Sequence, residues 1–318
     1  MQKQKGVYDK KALGQTAMML KRQPDFSTVW NYRRDILSNL LKEAKSGVIC
    51  DALKSDLELV TYGLRHKNPK SYCLWHHRRW VLLEWIRTMP ETSGDILRKE
   101  LSLCKTFLKH DERNFHCWNY RRFVAKRCDL DVEKDLEFTQ EKILENFSNY
   151  SALHQRMSVL KEISSKINKR EEGTEEGGAK TTTVEEMRRA TCHDLAKRLD
   201  EELETAQQAI FTEPDDQSSW LYIRWILEWG REFLDDDAIV SRVDTVLDSC
   251  RELVEMEGPL KWPLLTEYVL LRMRFVGRRK DSTATTDKEK RCEAILKALV
   301  QVDPAHRGFY ESAARGGT

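Results

Sequence analysis

The amino-acid sequence predicts an all-α protein in which helix–turn–helix units repeat along the chain. A short sequence phrase recurs five times, and an amphipathic segment precedes its copies. Turn-forming residues lie between the amphipathic segment and the phrase. One pair of amphipathic helices cannot bury both of its apolar faces, so successive pairs must stack on one another. The predicted fold is therefore a solenoid of helix pairs, and we expect residues 1–318 to form a single domain.

The repeated phrase opens the second helix of each predicted pair. Its central residue, which we call the anchor, is aromatic or leucine: Trp30, Trp75, Trp118, Leu153 and Trp220. An arginine follows three positions later, on the same helix face, at Arg33, Arg78, Arg121 and Arg156. Four positions before the anchor stand side chains that can cap a helix: Ser71, Asn114, Asn149 and Asp216. We expect the tryptophan and arginine side chains to be structural, packing and bonding between neighbouring helices.

The first helix of a predicted pair is indicated by apolar residues seven positions apart with charged residues between them. These apolar pairs are Leu57 and Leu64, Leu101 and Leu108, Leu136 and Ile143, and Leu203 and Ile210. Turn-forming residues such as Pro24 and Pro69 lie just before the repeated phrase. A degenerate sixth unit is expected at the end of the chain, with a turn at Asp303 and Pro304 and an aromatic residue at Tyr310.

Two segments interrupt the predicted array. Residues 164–183 are rich in Lys, Glu, Gly and Thr and show no apolar period, which predicts a flexible surface insertion. A minor loop is expected at residues 280–290. Neither segment needs to be a domain boundary.

Composition and charge exclude several classes of protein. The 54 Lys and Arg against 52 Asp and Glu leave a net charge of +2. The overall charge is therefore too small to attract nucleic acid or an anionic membrane. The eight cysteines include no CxxC pair, which argues against a zinc site made by this chain alone. No stretch is long and apolar enough for a transmembrane segment and the start of the chain is polar, so we expect a cytoplasmic protein with reduced thiols.

The repeated phrases resemble the repeat of the protein prenyltransferase alpha-subunit family. The resemblance spans roughly Asp25 to Trp229, and the strings NPKSYCLWHHRRW and DERNFHCWNYRRFV are most similar to the Rab geranylgeranyltransferase (type II) branch. It implies a right-handed α-α superhelix that forms a heterodimer with a beta subunit. It also implies that the beta subunit binds zinc and that geranylgeranyl diphosphate is the co-substrate, and it leaves room for magnesium. The implied activity is transfer of geranylgeranyl to C-terminal cysteines of Rab GTPases that arrive bound to a Rab escort protein.

The resemblance also implies which residues of this chain act at the site. Lys70 matches the lysine that contacts the diphosphate, Tyr72 matches the tyrosine two positions further on, and His116 matches a histidine near the isoprenoid diphosphate. Phe115 stands where the family often has tyrosine, so no hydroxyl is expected there. Breaking the bond between carbon and diphosphate places negative charge on the leaving group, which a cation or hydrogen-bond donor stabilises most in the transition state.

Two other functions remain open from the sequence. One is the alpha subunit shared by farnesyltransferase and geranylgeranyltransferase type I, since the beta subunit sets substrate choice in this family. The other is a scaffold without catalytic function, because helical solenoids commonly present binding surfaces and fold alone does not determine function. The adjacent His76 and His77 are not expected to bind a metal, because neighbouring helix residues point in different directions. The acidic run at Asp235 is expected to cap a helix.

Overall fold

The computed structural model describes residues 7–42, 44–175, 181–273 and 282–315. These residues form fourteen α-helices and no β-strand, which confirms the all-α prediction. The helices are α1 (Lys10–Arg22), α2 (Ser27–Leu41), α3 (Ser46–His66), α4 (Tyr72–Thr88), α5 (Ser93–His110), α6 (Phe115–Arg127), α7 (Val132–Glu145), α8 (Tyr150–Glu175), α9 (Thr181–Thr212), α10 (Gln217–Gly230), α11 (Asp236–Glu257), α12 (Lys261–Met273), α13 (Ser282–Val302) and α14 (Arg307–Ala314). Short 3-10 turns lie at Pro90–Thr92 and Pro304–His306.

Consecutive helices pack as pairs, from α1 with α2 to α13 with α14. Seven pairs occur in the part of the chain that the structure describes, where the sequence predicted six units. The pair that was missed is α11 with α12, which lacks the repeated phrase. Its turn contains Gly258 at a φ of 87°, a left-handed conformation that glycine adopts without steric cost.

The chain divides into two compact units, Met1–Asp135 and Leu136–Thr318, which we describe separately. The first contains α1 to α6 and the candidate site residues. The second contains α8 to α14. The prediction of a single domain over residues 1–318 stays a prediction.

The predicted helix caps are confirmed. In each, a side-chain oxygen accepts a backbone N–H from the first turn: Ser71 from Leu74 at 3.2 Å, Asn114 from Cys117 at 3.1 Å, Asn149 from Ala152 at 3.2 Å and Asp216 from Ser218 at 2.8 Å. Asp235 caps α11 in the same way, accepting from Ala238 at 2.8 Å. The first copy of the phrase has Phe26 at the cap position, and its side chain makes no capping bond. The caps therefore fix where α4, α6, α8 and α10 begin, the second helices of four of the pairs.

The anchor tryptophans tie each turn to the helix that follows it. All four are buried, and each indole N–H donates to a carbonyl six residues earlier: Trp30 to Pro24, Trp75 to Pro69, Trp118 to Glu112 and Trp220 to Pro214, at 2.7–2.8 Å. The buried polar group of each ring is thus satisfied while its apolar body packs in the core. Leu153, the anchor of the fourth copy, is buried as well but has no N–H to donate.

The repeated arginines connect one helix pair to the next. Arg78 on α4 donates to both carboxylate oxygens of Glu100 on α5, at 2.5 and 2.7 Å, and to Thr61 Oγ1 on α3 at 2.9 Å. Tyr120 on α6 donates to the same carboxylate at 2.7 Å. One buried carboxylate therefore joins the second helices of two successive pairs.

The same arrangement recurs twice more. Asp56 accepts from Arg33 and contacts His77, and Glu202 accepts from Arg156 and Tyr222. These bonds are charge-assisted and all lie between neighbouring pairs. The structural reading of the arginines is thus confirmed, and each pair is stabilised mainly by its neighbours.

The two predicted interruptions differ from expectation. Helix α8 continues to Glu175 and α9 begins at Thr181, so the described part of residues 164–183 has a helical backbone. Glu, Lys and Arg are good helix formers, and a helix satisfies its own backbone bonds beyond the core. Residues 282–290 of the second predicted loop belong to α13, so that prediction was wrong there. Residues 176–180 and 280–281 lie outside the described residues.

The end of the chain follows the sequence prediction. Helix α13 ends before the turn at Pro304–His306, and α14 follows. Tyr310 is buried and donates to Asp303 at 2.6 Å. The degenerate sixth unit is thereby confirmed as the last helix pair of the described chain.

Buried His77 makes the stability of the first unit depend on pH. Burial, and to a lesser extent the nearby arginines, lower the pKa of His77 to about 4, although Asp56 opposes this shift. Between pH 6.5 and 4 the unfolded chain binds a proton that the folded chain does not, so stability falls as the pH falls. We expect a loss of about 3 kcal/mol over this window, measured by urea unfolding. His77→Gln, which keeps a donor for Asp56, should remove this loss of stability at low pH. The assignment would be contradicted if His77→Gln kept the same pH dependence of stability, or if the exposed control His66→Gln lost it.

Candidate functional site

The candidate site residues lie where α4 and α6 begin. Lys70 precedes the capping Ser71, Tyr72 is the first residue of α4, and His116 is the second residue of α6. Both helices begin with a capped turn and point their remaining free N–H groups toward this edge of the unit. Such helix N-termini favour anions.

Side chains of successive turns hold the two helix starts together. Asn114 Nδ2 donates to the carbonyl of Pro69 at 3.1 Å, and Trp75 donates to that same carbonyl. Asn114 therefore caps α6 with its oxygen and reaches the turn before α4 with its nitrogen. The sequence predicted the cap but not this bond, which fixes Lys70 and His116 in adjacent turns.

The structure brings the three predicted residues together. The rings of Tyr72 and His116 lie edge to face with centroids 4.2 Å apart. Tyr72 is 75% exposed, and the Lys70 side chain is 63% exposed. Phe115 contacts the His116 ring edge-on at 5.8 Å and is half exposed, so it contributes an apolar surface beside the imidazole. A cation, an imidazole and a phenol thus occur on one accessible edge.

The charge of this cluster is set by burial and by Lys70. Partial burial, followed by the positive charge of Lys70, lowers the pKa of His116 below its ordinary value of 6.5. The imidazole is therefore neutral at pH 7 and can either donate or accept a hydrogen bond. Lys70 supplies the positive charge, as a compact ammonium with three donors.

Asp111 is a member of this cluster that the sequence reasoning missed. Its Oδ2 lies 3.0 Å from Lys70 Nζ, and both side chains are partly exposed. Asp111 lies in the turn between α5 and α6. An aspartate in a turn is usually there for its backbone preference, so no pattern in the sequence pointed to an ion pair between two turns.

No candidate metal site accompanies this cluster in the described part of the chain. There, no group of three or more His, Cys, Asp or Glu side chains could hold a metal ion. His77 is buried against Asp56 and takes no part in a cluster with His76. None of the described helices has the length and apolar character that crossing a bilayer requires.

Comparison with known proteins identifies the class to which this fold and these turns belong. The model of the protein prenyltransferase alpha subunit repeat matches residues 9–40, 53–85, 97–128, 132–163 and 199–230. These matches coincide with the first five helix pairs and cover half of the chain. The chain therefore belongs to the protein prenyltransferase alpha-subunit family.

Within that family the chain is similar to proteins named geranylgeranyl transferase type-2 subunit alpha. The Dictyostelium discoideum protein is 30% identical over 311 residues, which cover 98% of this chain and 86% of that protein. The Saccharomyces cerevisiae protein is 30% identical over 321 residues, covering 96% and 85%. The human protein is 38% identical over 225 residues, covering 71% of this chain and 35% of the human one. This chain thus matches about a third of the length of its mammalian relatives.

A solved structure supports the fold independently. Candida albicans protein geranylgeranyltransferase-I complexed with GGPP is similar over 99% of this chain and 86% of that chain, with a TM-score of 0.67 and 19% identity. At this identity the likeness concerns the fold. It extends the helix-pair fold beyond the five matched repeats to nearly the whole chain.

Proposed function

We propose that this chain is the alpha subunit of a heterodimeric Rab geranylgeranyltransferase, which transfers geranylgeranyl from its diphosphate to C-terminal cysteines of Rab GTPases. The observation that carries this proposal is the grouping of Lys70, Tyr72 and His116 on one exposed edge of a family member. The resemblance to type-2 alpha subunits favours geranylgeranyl and Rab substrates over the other members of the family.

Each residue has a distinct role in the proposed reaction. As the bond to the isoprenoid carbon breaks, negative charge grows on the departing diphosphate, and Lys70 stabilises that charge. Neutral His116 and the phenol of Tyr72 donate hydrogen bonds to the same group. Donors held in place before the reaction stabilise the transition state more than the ground state.

The proposal assigns the remaining chemistry to other chains. Zinc would be bound by the beta subunit, as the resemblance to the family implies. The Rab substrate would arrive with its escort protein, and magnesium would accompany the diphosphate. All eight cysteines are free thiols, as suits a cytoplasmic enzyme.

The decisive experiment is co-expression of this chain with candidate beta subunits. Each purified heterodimer would be assayed for prenyl transfer to Rab–escort complexes and to CaaX peptides. Transfer of geranylgeranyl to Rab supports the proposal. Transfer to CaaX peptides alone would instead identify the alpha subunit shared by the farnesyl and type I enzymes, and a chain that joins no beta subunit would be a scaffold.

Removing the Asp111 carboxylate should strengthen binding of the diphosphate. Asp111 competes with an incoming phosphate for Lys70, so Asp111→Asn is expected to lower the KM for geranylgeranyl diphosphate by about 2- to 5-fold, as loss of an exposed ion pair allows. Steady-state kinetics of the heterodimer would measure this. Asp95→Asn, which breaks a more exposed ion pair with Arg98 away from the site, is the control. A raised KM in Asp111→Asn would show that Asp111 positions Lys70 and does not compete for it.

A further inference from the structure

The turn that carries Lys70 is tied to the turn before it by the carboxylate of Asp25. Asp25 lies between α1 and α2, and its Oδ2 accepts a hydrogen bond from Asn68 Nδ2 at 3.0 Å. Its Oδ1 accepts a hydrogen bond from the hydroxyl of Ser71. Asn68 and Ser71 stand on either side of Lys70 in the sequence. One carboxylate of the first helix pair therefore spans the turn that presents the ammonium group.

The two partners of Asp25 also hold the backbone around Lys70. Asn68 Oδ1 accepts the backbone N–H of Lys70 at 3.0 Å. Ser71 Oγ accepts the backbone N–H of Leu74 at 3.2 Å and so caps α4. Each partner thus accepts from the backbone with its oxygen and donates to Asp25 with its remaining hydrogen-bonding group. Asp25 therefore fixes the orientation of both side chains, and through them the conformation of the turn.

The carboxylate of Asp25 does not serve the helix that follows it. An aspartate just before a helix ordinarily caps it or interacts with its dipole. Helix α2 has Phe26 at its cap position, however, and begins without a side-chain capping bond. The two bonds described for the carboxylate both reach the next turn of the chain, which indicates that its role lies there.

The contact between Asp25 and Asn68 occupies a fixed place in the repeat. It joins the residue five positions before one anchor to the residue seven positions before the next anchor. The same contact occurs three times in the described chain: Asp25 with Asn68 at 3.0 Å, Lys70 with Asp111 at 3.0 Å and Ser148 with Glu213 at 2.6 Å. Contacts of this kind set each turn against the next one. The contact made by Asp25 acts on the turn that carries the cation of the candidate site.

We propose that Asp25 is a positioning residue for Lys70 in the transfer reaction. This inference rests on the proposed function, in which Lys70 stabilises the departing diphosphate. The Lys70 side chain is 63% exposed and has a long, flexible stem, so the place of its ammonium depends on how firmly its backbone is held. Asn114 holds this turn from the following helix pair, and Asp25 holds it from the preceding one. A displacement of about 1 Å of a group that acts on the transition state can lower a rate by up to about 10²-fold.

The test removes the Asp25 carboxylate from the co-expressed heterodimer, with and without the Lys70 ammonium. Asp25→Ala is expected to lower kcat by about 10- to 30-fold and to leave the KM for the protein substrate unchanged. In a Lys70→Ala background the same change should not lower kcat further, because the group that Asp25 positions is already missing. An equal loss in both backgrounds would show that Asp25 supports the fold alone, and would overturn the inference.

Exchanging the side chains at positions 25 and 68 should restore activity. Asp25→Asn alone places two amides together, and Asn68→Asp alone places two carboxylates together, so each should lower kcat. In the double variant, the amide at position 25 can donate to the carboxylate at position 68, which still accepts the N–H of Lys70. We expect kcat to recover to within about 3-fold of the native value. A double variant as slow as the slower single variant would contradict the assignment.

Ser148→Ala is the matched control, because it removes the equivalent contact, the one with Glu213. This variant should keep the native kcat. The bonds of Asp25 are largely exposed, so Asp25→Ala should remain folded, which circular dichroism would verify. A higher kcat in Asp25→Ala would show that its negative charge opposes the diphosphate, and would also overturn the inference.

The outcomes separate this inference from the proposed function. If the native chain forms no active heterodimer, both proposals fail. If the heterodimer modifies only CaaX peptides, the proposed substrate is wrong, and the same comparison of variants still tests Asp25. If Rab is modified and Asp25→Ala leaves kcat unchanged, only the inference about Asp25 fails.

Discussion

Replacing Lys70 by alanine is expected to lower the turnover of the heterodimer by roughly 10²–10³-fold, the usual cost of losing one donor to a developing oxyanion. Lys70 is the cation of the three-residue cluster, and its exposed ammonium does not support the fold. The effect should therefore appear in kcat, with the KM for the protein substrate and the heterodimer itself unchanged. Single-turnover kinetics on a purified heterodimer would measure the chemical step directly.

A matched lysine elsewhere in the chain tests whether the loss of turnover depends on the position of Lys70. Lys99→Ala removes an exposed lysine from the middle of α5, away from the turns, and should have no effect on turnover. Lys70→Arg should recover part of the rate, since it keeps the charge but alters the geometry of the donors. Equal turnover in Lys70→Ala and the native heterodimer would remove Lys70 from the site.

Replacing Glu100 by alanine is expected to destabilise the chain by about 3–5 kcal/mol, because it leaves the buried charge of Arg78 without a partner. Tyr120 would lose the acceptor of its hydroxyl as well. Burial alone would lower the pKa of Arg78, but Glu100 and its other neighbours raise that pKa above its ordinary value, so the guanidinium stays charged in the core. Urea unfolding followed by circular dichroism would give the change in free energy.

The size of this effect depends on burial, so an exposed ion pair is the control. Asp95→Ala removes the partner of Arg98 on the same helix, where both side chains are about 70% exposed, and should cost less than about 1 kcal/mol. The double variant Arg78→Met with Glu100→Leu should recover much of the loss, because replacing both charges leaves none unpaired. A loss in Glu100→Ala no larger than in Asp95→Ala would contradict the role assigned to these arginines.

The sequence by itself determined the repeating helix pairs and most of their boundaries. Capping side chains, turn residues and anchor tryptophans act within a few positions of one another, so local pattern was sufficient to find them. Lys70, Tyr72 and His116 came from the resemblance to the prenyltransferase alpha-subunit family, and their role at the site stays a prediction. The pair α11 with α12 was missed because its residues do not repeat that phrase.

Only the tertiary structure decided which residues of different pairs meet. The bond from Asn114 to Pro69, the ion pair of Lys70 with Asp111 and the carboxylate partners of the buried arginines all join residues at least fourteen positions apart. The same holds for the stacking of Arg79 on Phe123, which groups cations from two helices. Periodicity shows which face of a helix is buried, but the side chain it meets depends on how neighbouring pairs stack, and that is fixed by packing of the whole unit.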